Sequence, residues 1–374
     1  MNVIPVFRPS MGNDEINAVA EVIKSGWIGL GPRTAEFEEK FAKYIGVKYA
    51  VGLNSATAAL HLALMVMEVK GGEVITTPMT FVSTNHAILY NNAEPVFCDI
   101  EPDTLNINAG KIEPLITNGT KAIIVVHYGG YACDMDPINA VARKHDLKVI
   151  EDTAHGCGGE YNGQKLGSIG DLGVFSFHAV KNLATGDGGM ITTNNAQVYE
   201  RLKKLRWLGI SKDTFSREEK DSQAYSWYYN VEEIGYKYHM NDIQAALGLV
   251  QLAKLERTNK RREEIVALYN GGLKDCDWIE RPVRKDYMTK PANHNYVIKG
   301  ERRDELNDYL KKLGISTGVH YVPSNHYEMY HDCRGDTPVS DAVWKKLLTL
   351  PLFPDLTDDE AKSVIEAIRK FPGI

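Results

Sequence analysis

Apolar residues recur along this chain with two periods, and the alternation between them predicts its elements. Helical spacing marks Ile16, Val19, Ala20 and Ile23 after a capping Asn13, then Phe37, Phe41 and Tyr44 in a helix that starts at Thr34. Short apolar runs of strand character follow at Tyr49 to Leu53, Glu73 to Thr76, Pro95 to Asp99, Ala122 to Val126, Leu147 to Asp152 and Ile191 to Asn194. Val174 to His178 alternates apolar and polar residues, the period of a half-buried strand. Helices are predicted after Thr57, opening at Thr77 to Thr84, over Tyr199 to Leu208 and from about Leu252 to Tyr269. A strand over Asn295 to Ile298, a helix over Arg303 to Leu313, an extended run from Ile315 to Tyr321 and a helix after Asp358 complete the pattern. Repeated strand and helix units predict an α/β fold, a mostly parallel sheet sandwiched by helices. We expect a large domain over 1-250 and, over 251-374, a linker helix with a smaller α+β unit. The polar stretch Ser211 to Asn230, with Tyr225, Trp227, Tyr228 and Tyr229, predicts a long ordered loop.

Composition narrows the classes. With 43 basic and 49 acidic residues the net charge is -6, which gives no electrostatic case for nucleic acid or an anionic membrane. No apolar run approaches bilayer length and no signal peptide is evident, so a cytoplasmic protein is expected. Cys98, Cys133, Cys157, Cys276 and Cys333 are scattered and odd in number, which fits reduced thiols.

The candidate chemistry lies where an apolar strand runs into a glycine cluster. Lys181 follows Phe175-Ser176-Phe177-His178 and precedes Gly186, Gly188 and Gly189, where backbone can close around a ligand. A partly desolvated ammonium has a lowered pKa, and the neutral amine can attack an aldehyde to form a Schiff base. Asp152 ends a buried strand, on the side where ligands bind open α/β sheets. A buried carboxylate needs a partner, and a protonated pyridine nitrogen is one. His155, Cys157 and His178 match no usual zinc spacing, so no metal is expected. No Gly-x-Gly-x-x-Gly run follows a strand, which argues against a nucleotide-cofactor oxidoreductase.

Taken together, Glu151-Asp152-Thr-Ala-His155, Gly167-Ser-Ile-Gly-Asp171, Phe175-Ser-Phe-His178, Lys181 and Gly186-Asp-Gly-Gly189 resemble the signature of the DegT-type nucleotide-sugar aminotransferases. These are pyridoxal-phosphate enzymes of fold type I in the aspartate aminotransferase superfamily. The resemblance implies that Lys181 anchors pyridoxal 5'-phosphate, with pyridoxamine phosphate as the half-reaction form, and that Asp152 pairs with the ring nitrogen. It implies stacking by Phe81, phosphate binding by Ser55, Ala56, Thr57 and Ser176, and contact of His155 with the phenolic oxygen. Each has a plainer alternative: Ser55 to Thr57 as a helix cap, Phe81 as core, His155 as a structural hydrogen bonder. Trp27, His320 and Tyr321 are expected on the substrate side, against the alternatives of a loop anchor and a strand end.

The implied reaction moves an amino group from glutamate to a nucleoside-diphosphate keto-deoxy sugar, most simply a 4-keto-6-deoxy sugar, in amino-sugar and polysaccharide synthesis such as that of lipopolysaccharide O-antigen. The implied assembly is a homodimer with shared active sites. In the family, an asparagine of a Gly-Tyr-Asn-Tyr-Arg run reaches the neighbouring subunit's phosphate. Here Lys237 and His239 replace its asparagine and arginine, and a lysine can serve phosphate as a point charge. A sugar dehydratase of the same fold is an alternative, but the similar dehydratases carry histidine in place of Lys181. A non-catalytic regulatory protein is another, and the full set of Lys181, Asp152 and Ser176 argues against it.

Overall fold

The computed structural model describes residues 3–211 and 229–372, so most of the loop expected over Ser211 to Asn230 lies outside the described residues. In chain order the elements open with α1 (Asn13–Ser25), α2 (Pro32–Ile45), β1 (Tyr49–Leu53), α3 (Ala56–Val66), β2 (Glu73–Thr76), α4 (Val82–Tyr90) and β3 (Glu94–Phe97). Next come β4 (Thr120–Val126), α5 (Met135–Lys144), β5 (Lys148–Asp152), a hairpin of β6 (Glu160–Tyr161) and β7 (Gln164–Lys165), β8 (Leu172–Ser176), β9 (Gly189–Thr193) and α6 (Ala196–Leu205). The 31-residue α7 (Asp242–Gly272) leads to β10 (Ile279–Glu280), β11 (Tyr296–Gly300), α8 (Arg303–Lys312), α9 (Pro338–Val343), β12 (Leu347–Leu350) and α10 (Asp358–Arg369).

Seven strands form one sheet in the order β1-β9-β8-β5-β4-β2-β3, and only β9 runs against the rest. Its strands are buried on both faces, as a sheet covered by helices requires. Ala122 and Ile124 of β4 pack with Leu60, Leu62 and Ile88 on one side, while Ile123 and Val125 pack with Met135 and Ile138 on the other. The same burial corrects the half-buried reading of Val174 to His178. The strand is Leu172–Ser176 and all five residues are buried.

A second, antiparallel sheet, β10-β11-β12, makes its own core with α7, α8 and α10, in which Tyr296, Ile298, Leu348 and Leu350 meet Ile265, Tyr269, Leu306 and Ile368. The expected boundary at 250/251 falls inside α7, because nothing in its sequence breaks the helix and Gly248 packs against the Phe37 ring. The extended run Ile315 to Tyr321 forms no ladder strand. It makes single bridges, Ile315 to Ile4 and Gly318 to Thr349. The start of α1 also differs from expectation. Gly12 occupies the cap position, Glu15 folds back to its N–H at 2.8 Å, and Ile16 and Ile23 face solvent.

Candidate active site

The carboxyl ends of β1, β5 and β8 converge on one cleft of about 410 Å³, within the range of small-molecule sites. Register explains the convergence, since Leu53 and Ser176 both pair with Gly189, and Asp152 pairs with Val174 two residues before Ser176. Among the sequence-predicted residues, Ser55, Ala56, Thr57, Phe81, Asp152, His155, Ser176, Lys181, His320 and Tyr321 all line this cleft. A larger groove, about 580 Å³, runs along α1, α2 and α7. Arg33 pairs there with Glu36 at 3.0 Å and Lys254 with Asp14 at 2.9 Å, and none of the sequence-predicted residues lines it, so the smaller cleft is the candidate site.

Asp152 is buried at the floor. One carboxylate oxygen accepts from the Thr84 hydroxyl at 2.8 Å and the other from the Ala154 N–H at 3.1 Å. Burial raises its pKa above the ordinary value, against the pull of those bonds and of Lys181. Two bonds leave much of the carboxylate's acceptor capacity open toward the cleft.

Lys181 sits in the turn after β8. Its N–H donates to the His178 carbonyl at 2.9 Å and Thr185 N–H closes onto Phe177 at 2.8 Å. Gly186 has φ +86°, a left-handed conformation that glycine adopts without strain, and a Cβ on Gly188 would lie 2.5 Å from the Thr185 hydroxyl. Burial lowers the Lys181 pKa to about 8, with Asp152 opposing. At pH 7 roughly a tenth of the amine is then neutral, against well under a thousandth for an ordinary lysine.

At the start of α3 the Ser55 hydroxyl accepts from Ala58 N–H at 3.1 Å. The preceding N–H groups, of Ala56 and Thr57, have no acceptor among the described residues, as expected of the first turn of a helix. A Cβ on Gly189 would come within 2.5 Å of the Ser55 carbonyl, so glycine lets β9 lie against this turn. Ser176 is buried beside it, its hydroxyl accepting from His178 N–H at 3.4 Å. Phe81 is 57% exposed, which sets aside its reading as a core residue and leaves an apolar ring face at the cleft.

His155 occupies the opposite wall. Its Nδ1 accepts from the Gly129 N–H at 3.3 Å, so the proton resides on Nε2 and is donated to the Tyr321 hydroxyl at 3.1 Å. Burial, with the nearby Lys181 and His320, holds its pKa well below the ordinary imidazole value and keeps the ring neutral. His320, also lowered to about 4 chiefly by burial, bonds Thr349 through Nδ1 at 2.8 Å, and the Tyr128 hydroxyl donates to its carbonyl.

Two expected residues stand elsewhere. Trp27 is outside the cleft wall, its indole N–H donating to the Leu30 carbonyl at 3.0 Å, which is the loop-anchor geometry. Lys237 is also outside its own chain's cleft and sets its ammonium 3.2 Å from the centroid of the Trp207 ring, a cation–π contact. Thr84 was not singled out from the sequence, although it lies in the Thr77 to Thr84 helix start. Tyr128, Asn182, His294 and Phe7 also escaped, and Asn182 alone carried a signal, its place beside Lys181.

The family model of the DegT/DnrJ/EryC1/StrS aminotransferase family matches residues 9–369. The chain belongs to this family. Spore coat polysaccharide biosynthesis protein SpsC of Bacillus subtilis is 43% identical over 98% of this chain and 96% of its own. An uncharacterized protein of Methanocaldococcus jannaschii is 46% identical over 98% and 97%. Among solved structures, a putative sugar aminotransferase of Streptococcus pneumoniae in its PMP form superposes with a TM-score of 0.92 at 34% identity, covering 98% of each chain.

Family and structure agree on a pyridoxal-phosphate-dependent aminotransferase of fold type I. The residues of this cleft fit that cofactor: open α3 amides and two serine hydroxyls suit a phosphate, Asp152 has acceptor capacity for a protonated ring nitrogen, and Lys181 supplies a reactive amine.

Proposed function

We propose that this family member transfers the amino group of glutamate to a nucleoside-diphosphate keto-deoxy sugar, a 4-keto-6-deoxy sugar. The reaction would be cytoplasmic and would feed surface polysaccharide such as lipopolysaccharide O-antigen. The observation that carries the reading is the meeting of Lys181, Asp152 and the α3 N-terminus in one cleft. The relationship to a spore coat polysaccharide protein supports the polysaccharide destination. Among the described residues no helix is long and apolar enough to cross a membrane.

Pyridoxal phosphate, when bound, supplies a carbonyl carbon that amines can join and a cationic ring that withdraws electrons. Lys181 would be the amine that holds the cofactor, and when free its amine would accept a proton at the donor's α-carbon. Asp152 would keep a proton on the ring nitrogen, Phe81 would cover the ring, and Ser55, Ala56, Thr57 and Ser176 would hold the phosphate. His155 would orient the ring through its phenolic oxygen, and His320 and Tyr321 would lie on the side of the incoming sugar.

We further propose a large cofactor-binding domain over 1-250, a small unit over 251-374 and a homodimer in which Lys237 reaches the neighbouring subunit's phosphate. The exposed Ile16 and Ile23 on α1 support an apolar contact between copies. To test substrate class, the protein loaded with pyridoxamine phosphate is offered UDP-, dTDP- and GDP-linked keto sugars and the products are weighed by mass spectrometry. One nucleotide class should gain an amino group. Uniform inertness would overturn the substrate assignment, and release of a deoxygenated sugar would favour the dehydratase.

A further inference from the structure

The Lys181 ammonium makes no hydrogen bond or ion pair with a protein group among the described residues, so the turn's backbone sets its aim. The next residue, Asn182, is buried, and both of its side-chain N–H donors are engaged, with Asn259 Oδ1 at 2.9 Å and the Ala292 carbonyl at 2.7 Å. Asn259 cannot be turned around, because its own amide nitrogen donates to the Cys157 carbonyl at 3.0 Å. The group that Asn182 presents to His294 is therefore its oxygen, which only accepts. His294 Nδ1 lies 3.0 Å away and must carry the proton.

Two stacked rings fix the His294 ring. Phe7 stacks on it with centroids 5.2 Å apart and planes at 6°, and His155 stacks on it at 4.5 Å and 29°. The backbone is also tied, since His294 N–H donates to the Gly129 carbonyl at 2.9 Å. Burial and neighbouring charges hold its pKa well below the ordinary imidazole value, so the ring stays neutral with a single N–H to give. Such a ring is a rigid hydrogen-bond donor rather than a proton carrier.

We propose that His294, stacked by both Phe7 and His155, is a positioning residue for Lys181, acting through its Nδ1–H bond to Asn182. The inference rests on the assignment of Lys181 as the anchoring amine. Asn182 joins four parts of the fold: the lysine turn, α7 through Asn259, the Ala292 segment, and the His155 wall through His294. Losing the His294 bond leaves the oxygen of a buried amide without a donor next to the reacting amine.

The test compares His294→Leu, which keeps bulk but removes the donor, with His294→Asn, whose amide nitrogen can take the place of Nδ1. Both lose the ring stack, so stability falls in both and cannot explain a difference between them. In protein loaded with pyridoxal phosphate, His294→Leu should slow half-transamination by saturating glutamate at least about tenfold, with half-saturation changed by less than about twofold. It should also shift the pH midpoint of the visible absorbance, and His294→Asn should recover the rate to within about threefold. Asn182→Ala removes the acceptor and should slow the reaction similarly, with the double variant no slower than either single one. Equal slowing by Leu and Asn, an unchanged rate in His294→Leu, or additive effects in the double variant would overturn the proposal. Absence of a visible band in the unaltered protein would instead strike the Lys181 assignment beneath it.

Discussion

Two carboxylates stand side by side at the end of β5, both buried, and only one has a complete set of partners. Glu151 accepts from Gly167 N–H at 2.8 Å and from Ile169 and Gly170 N–H at 2.7 Å each, and its Oε2 lies 3.0 Å from His127 Nε2. Asp152 has two donors and a raised pKa. Successive strand residues point to opposite faces, so neighbours in sequence enter different surroundings. Glu151 ties the Gly167 to Gly170 loop to the sheet, whereas Asp152 is left able to meet a cation that the protein does not itself provide. The difference teaches that an incomplete shell around a buried charge, rather than burial, marks a binding role.

The largest expected effect lies at the other end of that missing interaction. Lys181→Ala should remove the visible absorbance of protein loaded with pyridoxal phosphate and cut transamination by about 10⁴-fold, the upper end of what a positioned base contributes. A retained band would take Lys181 out of its role.

The comparison itself is broken by a pair of isosteric changes. Asp152→Asn should lower the turnover rate by about 10²–10³-fold while the denaturation midpoint stays level or rises, because a desolvated charge has been removed. Glu151→Gln should leave the rate per folded molecule near that of the parent and reduce unfolding free energy by about 2 kcal/mol or more, as backbone donors lose their acceptor. If the two changes trade effects, the distinction between the carboxylates fails.

A smaller effect sharpens the electrostatics of the same cleft. Unfolded Lys181 keeps its proton up to about pH 10.5, whereas in the cofactor-free fold it sheds the proton near 8. Between those values the unfolded chain binds more protons, so stability rises with pH. Relative to Lys181→Met, the cofactor-free protein should gain about 1–3 kcal/mol over that window after allowance for partial exposure. Denaturant titrations at successive pH values measure it, and a flat difference would show that burial does not perturb the amine.

Much of the site was legible because it is local. Lys181, Ser176 and the glycines belong to one strand and turn, and Asp152 ends the neighbouring strand, so sequence spacing conveys their relation. Lys237 and Trp27 could be placed only by resemblance, and within the chain Lys237 lies over the Trp207 ring while Trp27 donates to the Leu30 carbonyl. Phe7 and His294 lie 287 positions apart in the chain (294 minus 7) and meet only because Val3 to Phe7 is pinned to the small unit, Ile4 N–H to Gly314 and Leu352 N–H to Val6. Periodicity carries no trace of such a contact. The helix start expected near Leu252 failed for the converse reason, since capping by Asn241 and packing settle where an element begins.

The unbroken α7 has a mechanical consequence. At 1.5 Å per residue its 31 residues form a rod of about 46 Å. Its first residue, Asp242, receives the Thr34 hydroxyl at 2.8 Å and the Thr34 N–H at 2.9 Å, and near its far end Tyr269 donates to the Pro351 carbonyl at 2.8 Å. The same spine is thus tied to α2 at its start and to the segment just after β12 near its end, and it runs unbroken between them. A rod without a break between those two ties favours substrate entry past the loops at the cleft rim over a hinge within α7.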